Sequence, residues 1–235
     1  MRKGILYLIP TTLGETGPEK VLPEYTLSVI RKLTCFIVEE IRTARRFLKR
    51  ADYPFEYDKT QFLIFNEHTR RSDLSCFLQP MIEGIDCGLL SEAGTPCIAD
   101  PGSEIVELAH GSGIRVIPLT GPSSLLLALM ASGFNGQNFA FHGYLPVDKQ
   151  QRKQKIAEME KSALGKGQTQ LFIETPYRNQ ALFEALIQLC HPATRICIAI
   201  NLTSDNEQVL VNSVAEWRKK PFSLPKEPAT FLIYR

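Results

Sequence analysis

The fold is decided by the stretch LLSEAGTPCIADPGSEIVELAHGSGIRVIPLTGPSS, residues Leu89–Ser124, which contains two successive strand–loop–helix patterns. An apolar run ends at Leu89–Leu90, and Ser91–Gly102 follows with several glycines and prolines, which predicts a loop. Apolar residues then recur at helical spacing, and Ile114–Pro118 predicts a second strand before an apolar helix that ends near Gly133. Because α/β proteins bind small molecules at the carboxyl ends of parallel strands, both loops are candidate binding loops.

The end of the first loop carries a helix-start signal. Asp100 precedes Pro101, and proline suits the first turn of a helix while an aspartate side chain can accept hydrogen bonds from its free N–H groups. The sequence therefore predicts that Asp100 is the N-cap of the following helix rather than a catalytic group.

The rest of the N-terminal half repeats this alternation of strands and helices. Helices are predicted at Ile41–Arg50 and Ser72–Glu83, from apolar residues on one face. The predicted strands are Gly4–Ile9, Cys35–Val38, Phe62–Phe65, Cys87–Leu90 and Ile114–Pro118. Such alternation predicts an α/β fold with a mostly parallel five-stranded sheet and helices on both faces.

The C-terminal half shows a different order of elements. The predicted strands are Asn138–Tyr144, Gln170–Thr175, Arg195–Asn201, Gln208–Val211 and Ala229–Tyr234, with helices at Lys149–Leu164 and Arg178–Leu189. The last three strands follow one another with short connections, which favours antiparallel pairing and hence a mixed sheet. We therefore predict two α/β domains, an N-terminal one over residues 1–118 and a C-terminal one over residues 119–235.

The amino-acid composition limits the classes of protein to which this chain can belong. The chain has 235 residues, of which 44% are hydrophobic, so it can bury a substantial core, and its net charge of +2 does not by itself indicate nucleic acid. Its six cysteines form no C-x-x-C pair, and its four histidines have no zinc-ligand spacing, so we expect reduced thiols and no metal site. No apolar run approaches the roughly 20 residues of a membrane span, so we expect a cytoplasmic protein.

The chain resembles the tetrapyrrole-methylase superfamily of S-adenosylmethionine-dependent methyltransferases. It is most similar to the branch that methylates a cytidine ribose 2′-hydroxyl in small-subunit ribosomal RNA. The resemblance runs from Leu6 to Tyr234. The matching segments are Tyr7–Thr11 with Gly14, Ser91–Pro96, Asp100–Gly102, Gly113–Leu119, Gly121–Pro122, Gly143–Pro146 and Phe172–Pro176 with Arg178. Several ordered motifs are far more specific than one glycine signature.

The resemblance implies a two-domain protein, usually a homodimer, with S-adenosylmethionine held in the cleft between the domains. The matching positions for cofactor contacts are Leu13, Gly14, Glu92, Ala93, Gly94, Thr95, Ile98, Ser123, Ser124, Glu174 and Leu202. General chemistry agrees with this assignment, because Gly94 has no Cβ to keep a ligand at a distance. The N–H groups at the helix start near Ser123 could also receive the cofactor carboxylate.

The sequence departs from the family pattern mainly at polar positions that would face the methyl acceptor. The family's Glu-Asp-Thr-Arg after the second strand is Glu39-Glu40-Ile41-Arg42 here, and its Glu-Leu-Thr-Lys is Asn201-Leu202-Thr203-Ser204. Glu15 replaces the usual asparagine after the first-loop glycine. The segments that match cofactor loops are closer to the family than those on the acceptor side.

A ribose hydroxyl is a weak nucleophile, so a general base or an acceptor-orienting group is expected. Glu39 and Glu40 follow a predicted strand, and Glu67 and His68 follow the next one. We take Glu39, Glu40 and His68 as catalytic candidates. The alternatives are that a glutamate pairs with Arg42 or caps the Ile41 helix, and that His68 is an ordinary loop histidine. Glu92 could contact the cofactor or the acceptor.

Two basic segments, Arg42–Arg50 and Lys149–Lys166, could bind RNA phosphates or could simply be solvated helix faces.

Together with the motifs, the sequence predicts a methyltransferase that acts on ribosomal RNA. One alternative is a small-molecule methyltransferase, for instance one acting on a tetrapyrrole carbon. Another is a protein that binds the cofactor without turnover, since changed acceptor contacts can end turnover without ending binding.

Overall fold

The computed structural model describes residues 2–66, 68–69, 71–220 and 222–235, with the backbone alone described for residues 71–73. The chain divides into two compact units, the first ending at Ser123 and the second beginning at Ser124. The predicted boundary after residue 118 falls at the end of a strand, whereas the division follows the turn at Gly121–Pro122. Each unit has its own five-stranded sheet and its own core.

The sheet of the first unit is parallel throughout, as the sequence predicts. Its strands are β1 (Ile5–Ile9), β2 (Cys35–Val38), β3 (Gln61–Ile64), β4 (Cys87–Leu90) and β5 (Arg115–Pro118). They are arranged in the order β3-β2-β4-β1-β5. In the register, Leu8 of β1 pairs with Leu89 on one side and with Pro118 on the other. The carboxyl ends of β4, β1 and β5 are therefore neighbours at one edge.

Helices cover both faces of this sheet, which explains why its inner strands are apolar on both sides. The helices are α1 (Pro18–Val21), α2 (Glu24–Ile30), α3 (Ile41–Arg50), α4 (Gln79–Ile82) and α5 (Ser103–Gly111). Ile30 of α2 and Leu48 of α3 pack with Phe36 of β2 in one core cluster. Met81 of α4 and Ile105 of α5 pack in a second cluster. The prediction of helices on both faces is confirmed.

The segment Ser72–Glu83 was predicted to be one helix, but most of it is not α-helical. Residues Arg71–Leu78 form a 3₁₀ helix, and only the short α4 that follows is α-helical. Pro80 lies in the first turn of α4. Because proline has no N–H to donate to the carbonyl four residues earlier, a continuous α-helix through this point would lose a hydrogen bond and clash. The apolar residues are spaced as in an α-helix, but Pro80 interrupts it.

The second unit contains a mixed sheet, also as predicted. Its strands are β6 (Phe139–Tyr144), β7 (Thr169–Glu174), β8 (Arg195–Ile200), β9 (Gln208–Ser213) and β10 (Ala229–Tyr234). They are arranged in the order β6-β7-β10-β8-β9, in which β6 and β7 are parallel and the other pairs are antiparallel. Stacked rings of Phe172 and Phe231, with centroids 5.8 Å apart, lie in its core.

Four helices accompany this second sheet in the described residues: α6 (Ser124–Ser132), α7 (Lys149–Lys166), α8 (Asn179–Leu189) and α9 (Val214–Lys219). The sequence-based prediction of short connections between the last three strands missed α9. Ser213 and Glu216 form a capping box at its start, and Trp217 is buried in the core. This Ser-x-x-Glu signal was readable from the sequence.

Within the described residues, no helix combines the length and the apolar character that a membrane span requires.

Candidate functional site

Three loops meet at the carboxyl edge of the first sheet, because they follow the adjacent strands β4, β1 and β5. Gly94, in the loop after β4, is the point where the first two are joined. The Thr11 N–H donates to the Gly94 carbonyl oxygen over 2.9 Å, and the Ser91 hydroxyl donates to the same oxygen. The Thr11 and Ser91 side chains are both buried, with their oxygens 3.4 Å apart. These contacts fix the backbone of one loop against the other.

The conformation of Gly94 suits a close backbone approach. Its φ is +74°, a left-handed value that costs residues with a Cβ about 1–2 kcal/mol. A Cβ built on Gly94 would lie 2.8 Å from Cδ2 of Leu13 and 3.3 Å from the Pro122 carbonyl oxygen. The structure therefore places Leu13, Gly94 and Pro122 close together. Glycine at this position lets the three loops pack closely, because a Cβ would lie too near Leu13.

The second part of the loop after β4 is strained and is held by Asp100. Cys97 and Ala99 both have positive φ, +66° and +59°. One Asp100 oxygen accepts from the Cys97 N–H over 3.3 Å and from the Gly102 N–H over 2.9 Å. Strained backbone of this kind is often found at ligand-binding loops. Burial, with the nearby Asp100, raises the pKa of the Cys97 thiol to about 11, so this thiol stays protonated.

The prediction that Asp100 caps the following helix is wrong. Helix α5 begins at Ser103 with Gly102 as its N-cap, and no side chain caps it. Asp100 instead stabilises the loop before the helix through the two bonds described above. Ile98, a predicted cofactor contact, is 50% exposed in this loop, and Ala93 is also exposed while Thr95 is half-buried. Their contact with a cofactor stays a prediction.

Glu40 is the N-cap of α3. Its carboxylate accepts from the backbone N–H groups of Arg42 over 2.9 Å and Thr43 over 3.3 Å. The structure thus confirms the helix-cap interpretation of this glutamate, rather than a pairing with the Arg42 side chain. Both carboxylate oxygens serve the helix start, so Glu40 is poorly suited to act as a base. Its neighbour Glu39 is half-buried at the end of β2.

Glu92 is linked to the start of the same helix. The Thr43 hydroxyl lies 2.9 Å from Oε1 of Glu92, which joins the loop after β4 to α3. Glu92 is otherwise exposed, two residues before Gly94. Beside this contact is a cavity of about 20 Å³, lined by groups that include Thr11, Ser91 and Phe47. Such a volume holds roughly one water molecule. Glu92 is therefore an oriented carboxylate near the Gly94 loop.

His68 lies farther from these loops. It is exposed in a turn after β3, where its N–H donates to the Asn66 side-chain oxygen over 3.0 Å. In the strand order, β2 separates β3 from β4, which places the end of β3 about 10 Å from the end of β4 at normal strand spacing. The structure therefore does not group His68 with Gly94. Glu67, considered beside His68, lies outside the described residues.

Two predicted contacts of the second unit share one edge of its sheet. Ala229, at the start of β10, pairs with Glu174 at the end of β7 and with Ile200 at the end of β8. Leu202 is buried just beyond β8, between two residues with positive φ. Leu202 and Glu174 are thus at the same sheet edge. Their contact with a cofactor stays a prediction.

The Glu174 side chain is 2% exposed and is held by its own loop. Its Oε1 accepts from the Thr175 N–H over 2.7 Å and from Nε and Nη2 of Arg178 over 2.9 and 2.6 Å. Because a buried carboxylate is costly without a cation, Arg178 stabilises the turn between β7 and α8. This ion pair has a structural role whether or not Glu174 contacts a cofactor.

Replacing Arg178 with methionine should lower the free energy of unfolding by about 3 kcal/mol, since it leaves a buried charge without its partner. The double replacement Arg178→Met with Glu174→Gln should recover more than half of this loss, because the buried charge is gone. Urea unfolding followed by the fluorescence of Trp217, the chain's one tryptophan, measures both in the second unit. An Arg178→Met midpoint equal to that of the wild type would contradict the argument.

Sequence reasoning missed the hydroxyl groups that organise the loops. Thr11 and Ser91 lie within quoted motifs, and yet their shared contact with Gly94 depends on the adjacency of β1 and β4. Thr43 carried no signal beyond its place in the first turn of α3. Its partner Glu92 is 49 residues away along the chain. Such side-chain contacts follow from the strand order and cannot be derived from local patterns.

Comparison with known proteins agrees with this architecture. Residues 28–217 match the family model described as Tetrapyrrole (Corrin/Porphyrin) Methylases. The chain is 28% identical over 212 residues to ribosomal RNA small subunit methyltransferase I of Vibrio cholerae, covering 90% of this chain and 69% of the relative. It is 32% identical to the protein of the same name from Halalkalibacterium halodurans, covering 91% and 70%.

A solved structure shows the same fold at low identity. The uroporphyrin-III C-methyltransferase of Thermus thermophilus, complexed with S-adenosyl homocysteine, matches with a TM-score of 0.62 and 16% identity. The match covers 99% of this chain and 98% of that one. At this identity, the likeness supports the fold of two α/β units.

Proposed function

Because the chain belongs to the tetrapyrrole (corrin/porphyrin) methylase family, we propose that it is an S-adenosylmethionine-dependent methyltransferase acting on small-subunit ribosomal RNA. The RNA assignment is supported by the relatives at 28% and 32% identity, whose names specify this substrate. The resemblance of the motifs further favours a cytidine ribose 2′-hydroxyl as the acceptor. It also implies a homodimer in the cytoplasm, which stays a prediction.

The observation that carries the proposal is the junction of loops at Gly94. Without a Cβ at Gly94, Leu13 and the Pro122 carbonyl oxygen pack close to its backbone, so the three loops converge there, and glycine also lets a ligand approach the backbone of this loop. S-adenosylmethionine supplies an electrophilic sulfonium methyl when it is bound. We propose that Leu13, Gly14 and the loop Glu92–Ile98 hold this molecule. The Ser123 N–H, which follows the turn at Gly121–Pro122, would receive its carboxylate.

The protein's further task is to align the acceptor oxygen with the methyl group, a positioning effect that can contribute several kcal/mol. We propose that Glu92 orients the acceptor hydroxyl, since its carboxylate is exposed near Gly94 and held by Thr43. Glu39 remains a second candidate. The change from the family's aspartate to Glu40 keeps a carboxylate that caps α3, so this departure gives little reason to expect loss of turnover.

The test is methyl transfer from radiolabelled S-adenosylmethionine to fractionated RNA from cells that lack this protein. We expect label in small-subunit ribosomal RNA, retained after alkaline hydrolysis in resistant dinucleotides, because a 2′-O-methyl group blocks cleavage there. RNA from cells that contain the protein is the control and should accept little label. The same assay on a small-molecule extract of these cells tests the alternative, since label only in that extract would indicate a tetrapyrrole-like acceptor. Cofactor binding without any transfer would indicate a protein without turnover.

A further inference from the structure

Helix α3 carries an exposed row of positive charge. Arg42, Arg46 and Lys49, here called the basic face, are spaced at four and three residues, so they lie on one side of the helix. All three are exposed, whereas the apolar side chains Phe47 and Leu48 are buried against the sheet. The helix contains no acidic residue. Nothing on the helix itself offsets the charge of the basic face.

Among the described residues, the basic face has no ion-pair partner, and the Glu40 and Glu92 carboxylates at the start of the helix accept other hydrogen bonds. Across residues 2–66, 68–69, 71–220 and 222–235, no carboxylate forms an ion pair with Arg42, Arg46 or Lys49. The other cationic side chains of α3 already have partners. Arg50 donates to the Thr16 carbonyl oxygen and lies 3.8 Å from a Glu15 carboxylate oxygen, and Arg45 packs over two aromatic rings. Three adjacent cations are thus left to solvent or to a ligand.

The position of helix α3 determines where the basic face begins. Helix α3 begins directly after Glu40, at the carboxyl edge of the first sheet, where Thr43 contacts Glu92. From Arg42 to Lys49 the helix rises about 10 Å at 1.5 Å per residue. The basic face therefore starts next to the proposed acceptor-orienting carboxylate and extends away from it. A polymer with its reacting unit near Glu92 could place neighbouring phosphates along this row.

We propose that the basic face of α3 binds backbone phosphates of the RNA next to the methylated nucleotide, an inference that rests on the proposed function. Arginine suits this role because its planar guanidinium can donate two parallel hydrogen bonds to one phosphate. An anionic membrane surface fits less well, since membrane-surface helices expose apolar side chains beside their charges and α3 buries its own.

The long basic helix of the second unit is a weaker candidate for the same contact. Helix α7 carries Lys149, Arg152, Lys153 and Lys155 in its first half, but Asp148 caps its start and Glu158 and Glu160 precede its last two lysines. Interspersed charges of both signs are typical of a solvated helix face. The uninterrupted row on α3 is therefore the stronger phosphate-binding surface.

The test replaces Arg42, Arg46 and Lys49 together by glutamine in the full chain. The matched control replaces Lys219, Lys220 and Lys226, three exposed lysines, by glutamine and so makes the same change in net charge. Binding of small-subunit ribosomal RNA from cells lacking the protein is measured as a function of salt. Affinity for S-adenosylmethionine is measured by calorimetry, and methyl transfer is measured at saturating RNA.

The basic-face variant should bind RNA about 10- to 100-fold more weakly near 0.1 M salt. Its slope of log affinity against log salt should be smaller by about 2, since each lost phosphate contact on a single strand contributes about 0.7. Its cofactor affinity should stay within about two-fold, and the control should bind RNA like the wild type. Equal RNA binding by both variants would overturn the inference. Failure of the wild type to methylate this RNA would instead contradict the proposed function.

Discussion

Replacing Gly94 with valine should weaken binding of S-adenosylmethionine by at least about 100-fold, equivalent to about 2.7 kcal/mol. Two physical effects act together. The left-handed backbone at φ +74° is unfavourable for a β-branched residue, and the new Cβ would lie 2.8 Å from Leu13 and 3.3 Å from the Pro122 carbonyl oxygen. Leu13 or the loops would have to shift, which would displace the residues proposed to hold the cofactor. Calorimetric titration measures the loss.

Gly133→Val is the matched control for this prediction. Gly133 has a similar φ, +67°, but a Cβ there would have no atom within 4 Å beyond its chain neighbours. Both variants therefore carry the backbone penalty, and only Gly94→Val adds the steric conflict. The Gly133→Val protein should bind S-adenosylmethionine within about two-fold of the wild type. If Gly94→Val also binds normally, the cofactor does not use this loop and the proposed site is wrong.

Much of the architecture follows from local sequence patterns. The predicted bounds of β2, β4, α3 and β10 coincide with the structure, because each is a short apolar run or an amphipathic repeat between clear breaks. The antiparallel pairing of β8 with β9 also follows, since residues 201–207 are too short a connection for a parallel crossover. Helix α9, which lies between β9 and β10, was not predicted because it has only six residues. In such a short helix, the capping box is a stronger signal than apolar periodicity.

The site was less predictable than the fold because its contacts join distant segments. The motif around Gly94 predicts a binding loop, but the hydrogen bond from Thr11 to Gly94 joins the ends of two strands that are adjacent only in the folded sheet. The role of Asp100 was misjudged for a related reason. An aspartate before proline can cap a helix or hold a turn, and only the positions of the Cys97 and Gly102 N–H groups decide between these.

The structure also separates two glutamates that looked alike in sequence. Glu40 and Glu92 both follow strands of the first sheet and both contact the first turn of α3. Glu40 uses both of its oxygens for backbone N–H groups, which gives it a structural role in starting the helix. Glu92 has a hydrogen bond from the Thr43 hydroxyl and otherwise faces solvent near Gly94. Only Glu92 can therefore meet an acceptor without giving up a helix cap.

Glu92→Gln should accordingly lower kcat for methyl transfer by about 100-fold, the lower end of the range for loss of a positioned acid–base group. The amide keeps an oxygen that can accept from Thr43 but has no negative charge to attract the acceptor proton, so cofactor affinity should change less than about three-fold. Glu40→Gln is the contrasting variant. It should reduce the free energy of unfolding by about 1 kcal/mol through a weaker N-cap, with kcat within about three-fold. Single-turnover methyl transfer with saturating RNA measures both rates. The reverse pattern, in which Glu40→Gln is inactive and Glu92→Gln is not, would assign the acceptor to the carboxylate that caps α3.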